Sequence, residues 1–291
     1  MYYETLILGL GMGCIYSATA LGVNIIYGIM QIVNWAHGSI LMIAMFIVYG
    51  ATVLLGINPY LTLLIAVPVM FAFGYAFQDI VIRPLYLRER ADSNPVGLLL
   101  CTAGLGIALE NIMLMIFKST PRSVSMDISL TYISIGFGRK LSLVKLIGAG
   151  IALLVFAIMW FYMNRTYPGK ALRATAQDRE AAQLMGINVL RYYNIAFGIG
   201  CALCAVAGVI FATFYTITPS VGTTIGSKAF IILVLGGKGS VGGCLLAGLI
   251  IGLVEAFGGL FFDSYTGQML CFVIFALVLF LKPNGLFGKK V

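Results

Sequence analysis

Few residues in this chain are equipped for chemistry, and most of those sit where charge is expensive. Glu110 and Glu255 each fall near the middle of a long apolar run. An ionisable group inside such a run is a functional candidate by default, because holding a charge there is costly. The competing role is a protonated or hydrogen-bonded carboxyl that locks helices together. His37 is the chain's single histidine. Histidine suits proton relay, but His37 has no acidic neighbour in sequence and lies in a polar break from Asn34 to Ser39, which favours a structural role. Asn24 and Asn111 lie inside apolar runs, where carboxamides bond between helices. Asn24, Asn34, His37, Glu110 and Glu255 are the candidates for lining a polar path. Six cysteines (Cys14, Cys101, Cys201, Cys204, Cys244 and Cys271) all fall in apolar stretches. Cys201 and Cys204 share a helix face, but no second ligand pair follows, so they read as small core residues and no metal site is expected. No nucleophile and base are paired, and no GxSxG occurs. The run Gly236-Gly237-Lys238-Gly239-Ser240 looks superficially like a phosphate loop, but that loop needs GxxxxGK[ST], and Gly239 follows Lys238.

The elements that must position these residues are membrane helices. Of 291 residues, 61% are hydrophobic and 10% charged. A soluble domain needs about 25% charged residues to cover its surface. A span takes about 20 apolar residues. The length therefore predicts an all-α polytopic protein with about eight or nine spans and no large soluble domain. The expected spans run near 6–29, 39–55, 61–82, 96–117, 143–163, 192–215, 241–262 and 266–281. Pro68 is an expected kink. Asp79 and Arg83, four apart, are placed to pair on one helix face. Arg83 to Asp92 reads as a charged loop, and 131–138 as a small hairpin. Residues 228–235 are too short to span, so 226–240 is expected as a broken or re-entrant segment. Asn34 to Ser39 is either a tight interfacial turn or a broken helix lining a path. The first apolar run is too long for a cleaved signal and is expected to be retained.

The formal net charge of +8 is best read as an orientation signal on cytoplasmic loops, with no nucleic-acid partner expected. Placing 83–95, 165–191, 236–240 and the C-terminus inside gathers most of the Lys and Arg there and puts the N-terminus out. The basic loop 118–145 runs against this assignment. GLGIALE at 104–110 and GLIIGLVE at 248–255 look alike and would both run outward, as in transporters built from two related halves.

The most polar stretch is 168–191, PGKALRATAQDREAAQLMGINVLR, with apolar spans on both sides. Its alanines and leucine favour helix. Asp178 is placed to cap a helix beginning at Arg179, and Gly186 to stop it. One or two short helices along the cytoplasmic surface follow. They would serve either as an ordinary interfacial helix or as a docking surface.

Several motifs, in order along nearly the whole chain, resemble one family. Glu180-Ala181-Ala182 with Gly186 resembles the EAA-x-x-x-G motif of ABC importer permeases. Asn34-Trp35-Ala36-His37-Gly38, Arg83-Pro84-Leu85, Lys228-Ala229-Phe230, the glycine run 236–243 and Lys282-Pro283-Asn284-Gly285-Leu286-Phe287-Gly288 are similar to stretches of the LivH-type permeases of branched-chain amino acid importers. Trp35 and Lys238 depart from the family's usual residues. The resemblance implies a single permease domain over 1–291 with a coupling segment at 168–191, in a bacterial or archaeal cytoplasmic membrane. It implies Arg173, Asp178, Glu180, Ala181, Ala182 and Gly186 as the ATPase-coupling residues. The implied partners are a second, LivM-like permease, two ATPase subunits and an extracytoplasmic substrate-binding protein. ATP and Mg would be bound by the ATPase subunits, and this chain would bind no cofactor. A Glu at 110 or 255 would then meet the ammonium of a passing amino acid or lock helices. Substrate identity stays open among branched-chain amino acids, other amino acids and urea. The alternative is a self-sufficient proton-coupled secondary transporter using Glu110, Glu255 and His37, which has no need of an EAA-type helix.

Overall fold

The computed structural model describes residues 2–89, 96–124, 132–134, 140–282 and 285–287. Among these, seven helices are long and apolar enough to cross a membrane, and two shorter apolar helices join them. The chain is a polytopic all-α membrane protein with one small hairpin. In order, the first elements are α1 (Tyr2–Met30), α2 (His37–Leu55), α3 (Leu63–Phe77), a π turn (Gln78–Ile82), α4 (Arg83–Glu89) and α5 (Val96–Phe117). Then follow β1 (Tyr132–Ser134), β2 (Lys140–Ser142), α6 (Leu143–Arg165), α7 (Tyr167–Gln177), α8 (Arg179–Leu184) and α9 (Val189–Ala212). The last are α10 (Val221–Gly236), α11 (Val241–Phe261) and α12 (Ser264–Leu281).

α1 is the centre of the bundle, packed against α6, α7, α9, α10 and α11. Membrane helices gain nothing from leaving water for one another, so they associate where small residues let backbones approach. A Cβ on Gly13 would stand 2.8 Å from the Gly248 carbonyl oxygen, and one on Gly9 would stand 3.2 Å from that of Gly252. Ser17 adds a hydroxyl bond across the same seam, donating to the Leu245 carbonyl at 3.1 Å.

Arg83 to Glu89 is helical, where the sequence suggested a loop. Proline is the reason. Pro84 lacks an N–H and would break a regular ladder. The π turn widens the ladder just before it, and the Arg83 N–H reaches back to the Gln78 carbonyl. The helix thus runs on to the membrane edge, and the Asp79–Arg83 pair forms at 2.7 Å. α3 itself continues through Pro68 without interruption. The hairpin is present, with Tyr132 opposite Ser142 and Ser134 opposite Lys140, while 135–139 and Thr131 lie outside the described residues.

Two helices begin inside the bundle. The His37 ring reaches the Thr19 carbonyl, and Thr19 lies eleven residues before the end of α1, about 16 Å along a helix. After Met30 the chain must therefore double back. Residues 31–36, extended, cover about 20 Å, enough for the return. The turn is made by Gln31, a non-glycine residue at φ 57°. Asn34 to Ser39, buried except for Trp35, thus breaks the helical path. α10 starts beside the same point: a Cβ on Gly226 would lie 2.9 Å from Gly38 Cα. With 16 residues α10 is about 24 Å long, short of a full span. The broken segment expected at 226–240 is therefore this helix, begun five residues earlier and ending at Gly237–Ser240.

The α1–α11 seam gives a direct test. Gly13→Leu is expected to cost about 1–3 kcal/mol or more through overpacking. Its detergent-solubilised protein should lose its sharp size-exclusion peak, while Gly50→Leu, at a position with nothing within 4 Å, keeps it.

Candidate functional site

The polar candidates fall into four places. The first is the break itself. Asn34 and His37 are both fully buried. Asn34 Oδ1 accepts from the Ala36 N–H at 3.1 Å, turning the chain into α2. His37 Nε2 faces the Thr19 carbonyl at 2.9 Å, so that nitrogen carries the proton. The other ring nitrogen lies 3.3 Å from Cys204 Sγ. Cys204 Sγ is almost as close to Nε2, at 3.4 Å, so the thiol lies against the ring and His37 joins α2 to both α1 and α9.

The second place is a cavity of about 380 Å³ beside the break. The break contributes Trp35 and Ser39, α5 contributes Glu110, and α10 contributes Thr223, Ser227 and Phe230. Phe272 and Phe275 of α12 close the apolar side. Glu110 is thus brought beside the broken segment. Trp35, one of the two departures from the family pattern, stacks on Phe230 with centroids 5.4 Å apart. Asn111, next to Glu110, bonds its own helix at the Ile107 carbonyl, 2.8 Å away, and not a neighbouring helix as expected. It stands on an exposed face of α5.

The third place lies on the other side of α10. Lys228 donates to Glu255 Oε1 at 2.6 Å and to the Tyr16 hydroxyl at 3.1 Å. The pair joins α10 to α11, with the Lys228 side chain only 6% exposed. Sequence reasoning placed Lys228 in a motif but did not give Glu255 a partner. A lysine in an apolar run, about two helical turns after the Gly222 break, was the available signal. A lone buried charge is so costly that one of opposite sign must be sought.

The fourth place is the end of the molecule that carries α7 and α8. Thr166 caps α7, accepting from the Gly169 N–H at 3.2 Å. Asp178 separates the two helices and caps α8 by accepting from the Glu180 and Ala181 N–H groups at 2.9 and 3.0 Å. Gly186 ends the unit at φ 80°. Cap and stop are where the sequence put them. Ala182 is buried on the bundle side, while Leu184 and Met185 stand 89% and 83% exposed. Arg173 of α7 donates to Asn164 Oδ1 at 3.0 Å.

Arg179 was not among the sequence candidates, yet it ties α8 to the membrane bundle. It donates to the Tyr86 hydroxyl at 2.8 Å, to the Met30 carbonyl at 3.2 Å and to Gln31 Oε1 at 3.3 Å. It therefore holds the left-handed turn from which the segment 31–36 leaves. Asn24 belongs to the same end. Its amide donates to the Ser240 carbonyl at 2.8 Å and accepts from the Gly239 N–H at 2.7 Å. It clamps the glycine loop between α10 and α11. Lys238, the second departure from the family pattern, lies over the Tyr27 ring at 5.3 Å in that loop. The Leu286 N–H donates to the Leu235 carbonyl at 2.8 Å, which brings the C-terminal motif to this end too.

Comparison with known proteins agrees with this assembly. A profile described as "Branched-chain amino acid transport system / permease component" matches residues 5–281. The high-affinity branched-chain amino acid transport system permease protein BraD of Pseudomonas aeruginosa is 31% identical over 300 residues, covering 99% of this chain and 96% of that one. The corresponding LivH protein of Escherichia coli is 29% identical over 293 residues, covering 97% and 94%. A solved structure of PsaBC from Streptococcus pneumoniae in complex with Fab aligns at a TM-score of 0.53 with 14% identity, covering 97% of this chain and 92% of that one; it shares the fold. The profile match over residues 5–281 and the relative at 31% identity over nearly the whole chain show the same thing: this chain belongs to the family of permease components of the branched-chain amino acid transport systems.

Proposed function

We propose that the chain is the translocating permease of an ATP-driven importer for branched-chain or related amino acids, moved by ATPase subunits that dock on α7 and α8. The observation that carries this is the α8 unit. A six-residue helix, capped by Asp178 and stopped at Gly186, presents Leu184 and Met185 bare at the molecule's end. Exposed apolar side chains on a rigid polar unit are the signature of a protein-binding hot spot. Arg173, Asp178, Glu180, Ala181, Ala182 and Gly186 build and rim that surface. The end carrying α7, α8, Lys238 and the C-terminal motif is the cytoplasmic one, which leaves the start of α1 outside. A second permease completes the passage beside the cavity of Trp35, Ser39 and Glu110, and an extracytoplasmic binding protein delivers the cargo. A self-sufficient proton-coupled carrier is less well supported. Such a carrier has no use for α8, and His37 is held against a carbonyl and a thiol.

Arg179 gives the docked unit a handle on the passage. A push on α8 reaches Gln31 through one guanidinium, and the segment 31–36 carries it to Trp35 in the cavity wall.

Leu184→Glu should weaken ATPase-subunit binding by about 2 kcal/mol, roughly thirtyfold in affinity, if the side chain is a hot spot. Co-purification of the complex in mild detergent reads this; unchanged recovery of the ATPase subunits would remove α8 as the dock. Arg179→Gln should assemble normally but import fewer amino acids per ATP, with Arg179→Lys intermediate because it keeps charge but loses the fork. Uptake and ATP hydrolysis measured together in proteoliposomes test it, and an unchanged ratio would end the handle role.

A further inference from the structure

A second cavity of about 380 Å³ lies among α1, α6 and α11, at the end away from α7 and α8. α6 and α11 both pack on α1 but scarcely touch each other. The cavity is therefore a groove, floored by α1 and open between its two flanks. All three helices are long enough to span, so the groove faces lipid. It lies across α10 from the cavity of Trp35 and Glu110. Leu8, Met12, Ala256 and Leu260 make its middle stretch apolar. Tyr16 stands at the deep end, against the Lys228–Glu255 pair. Lys145 stands at the other end, third residue of α6 and so near the membrane edge. Its ammonium lies 5.8 Å from the Phe214 ring centroid, and it pairs with no carboxylate among the described residues.

The length of the groove is informative. Thr5 to Tyr16, both in its wall, are eleven residues apart, about 16 Å along a helix. That is the depth of one leaflet in a hydrocarbon core about 30 Å thick. Apolar walls give water too few partners to fill such a space. An acyl chain fills it without cost, because it leaves one apolar medium for another. For the same reason the chain selects no particular lipid, and selection falls to Lys145. A phosphatidylcholine brings a phosphate and an ammonium together and offers the lysine no net charge. An anionic phospholipid offers the phosphate alone. We propose that the groove binds an anionic phospholipid, its phosphate accepting from Lys145 and one acyl chain lying along Leu8, Met12 and Leu260 toward Tyr16. The chain completes the wall of the bundle beside Tyr16 and keeps water from the Lys228–Glu255 pair. The assignment needs only that the bundle sits in a bilayer and does not depend on the cargo.

Fluorescence quenching by brominated lipid tests it, with the full-length chain reconstituted in vesicles. Leu260→Trp places an indole in the groove, and Leu154→Trp places one on the exposed face of α6. Each is read as the difference from the parent protein. Leu8→Trp reports the same groove if Leu260→Trp fails to fold. Brominated phosphatidylglycerol diluted with plain phosphatidylcholine, and the reverse mixture, give the relative affinity at each position. One lysine at a membrane surface is worth about 1 kcal/mol toward anionic lipid, roughly a fivefold preference. Leu260→Trp should show that preference for phosphatidylglycerol, and Leu154→Trp a ratio near one. Adding Lys145→Gln should bring the groove ratio to about one, while Lys145→Arg keeps it. Soluble glycerol phosphate should leave the groove quenching unchanged, since the site takes the lipid and not a free anion. Three results would each overturn the assignment: no quenching in the groove by either lipid, as a closed or protein-covered groove would give; the same preference at both positions; or a groove preference that survives Lys145→Gln.

Discussion

Backbone that leaves a helix must find its hydrogen bonds elsewhere, and α1 supplies them here. Two stretches depart from helix against it: residues 31–36 and the loop Gly237–Ser240. Each is fixed by one polar side chain. His37 returns the first to the Thr19 carbonyl, and Asn24 clamps the second through both ends of its amide. A peptide group buried without a partner costs several kcal/mol. The placement of α2, α10 and α11 therefore follows from where α1 offers bonds. The glycines of α1 serve the same end by letting α11 come close enough to complete the wall.

α10 then divides the interior. On one face it carries Thr223, Ser227 and Phe230 toward Glu110 and Trp35; on another it carries Lys228 toward Glu255 and Tyr16. This helix, too short to span, is packed against α1, α2, α11 and α12. The Lys228–Glu255 bond adds a directional anchor to that packing. A buried ion pair need not add stability over an apolar pair, but it fixes one arrangement against others. For a helix between two cavities, that selectivity of position matters more than the energy.

How much of this was legible beforehand divides by sequence distance. The Asp178 cap, the Gly186 stop and the Asp79–Arg83 pair were readable because cause and effect lie within four residues or a single turn. The break at Asn34–Ser39 was visible as polarity, but its depth was not, since that depends on Thr19 across a reversal of the chain. Asn24 was read as a path candidate that bonds between helices, but the loop it clamps could not be named, since its partners lie more than 200 residues away. Glu255 could be flagged as costly but not given Lys228, and Arg179 looked like one more surface charge beside the motif. Arg83 to Glu89 was misjudged for a different reason. Charge and proline argued for a loop, while a π turn, which leaves no mark in composition, let the helix continue.

The seam between α1 and α11 also has a consequence for how the protein is made. Gly13 meets Gly248, some 235 residues later in the chain. At about 5–20 residues per second, that gap is on the order of 10–50 s of synthesis. During that interval α1 stands in the lipid with its glycine face unpartnered and its Asn24 amide without a loop to hold. The contacts it makes early, with α6 and α9, must keep it upright while the rest is translated. The helix around which the bundle closes is made first and completed last.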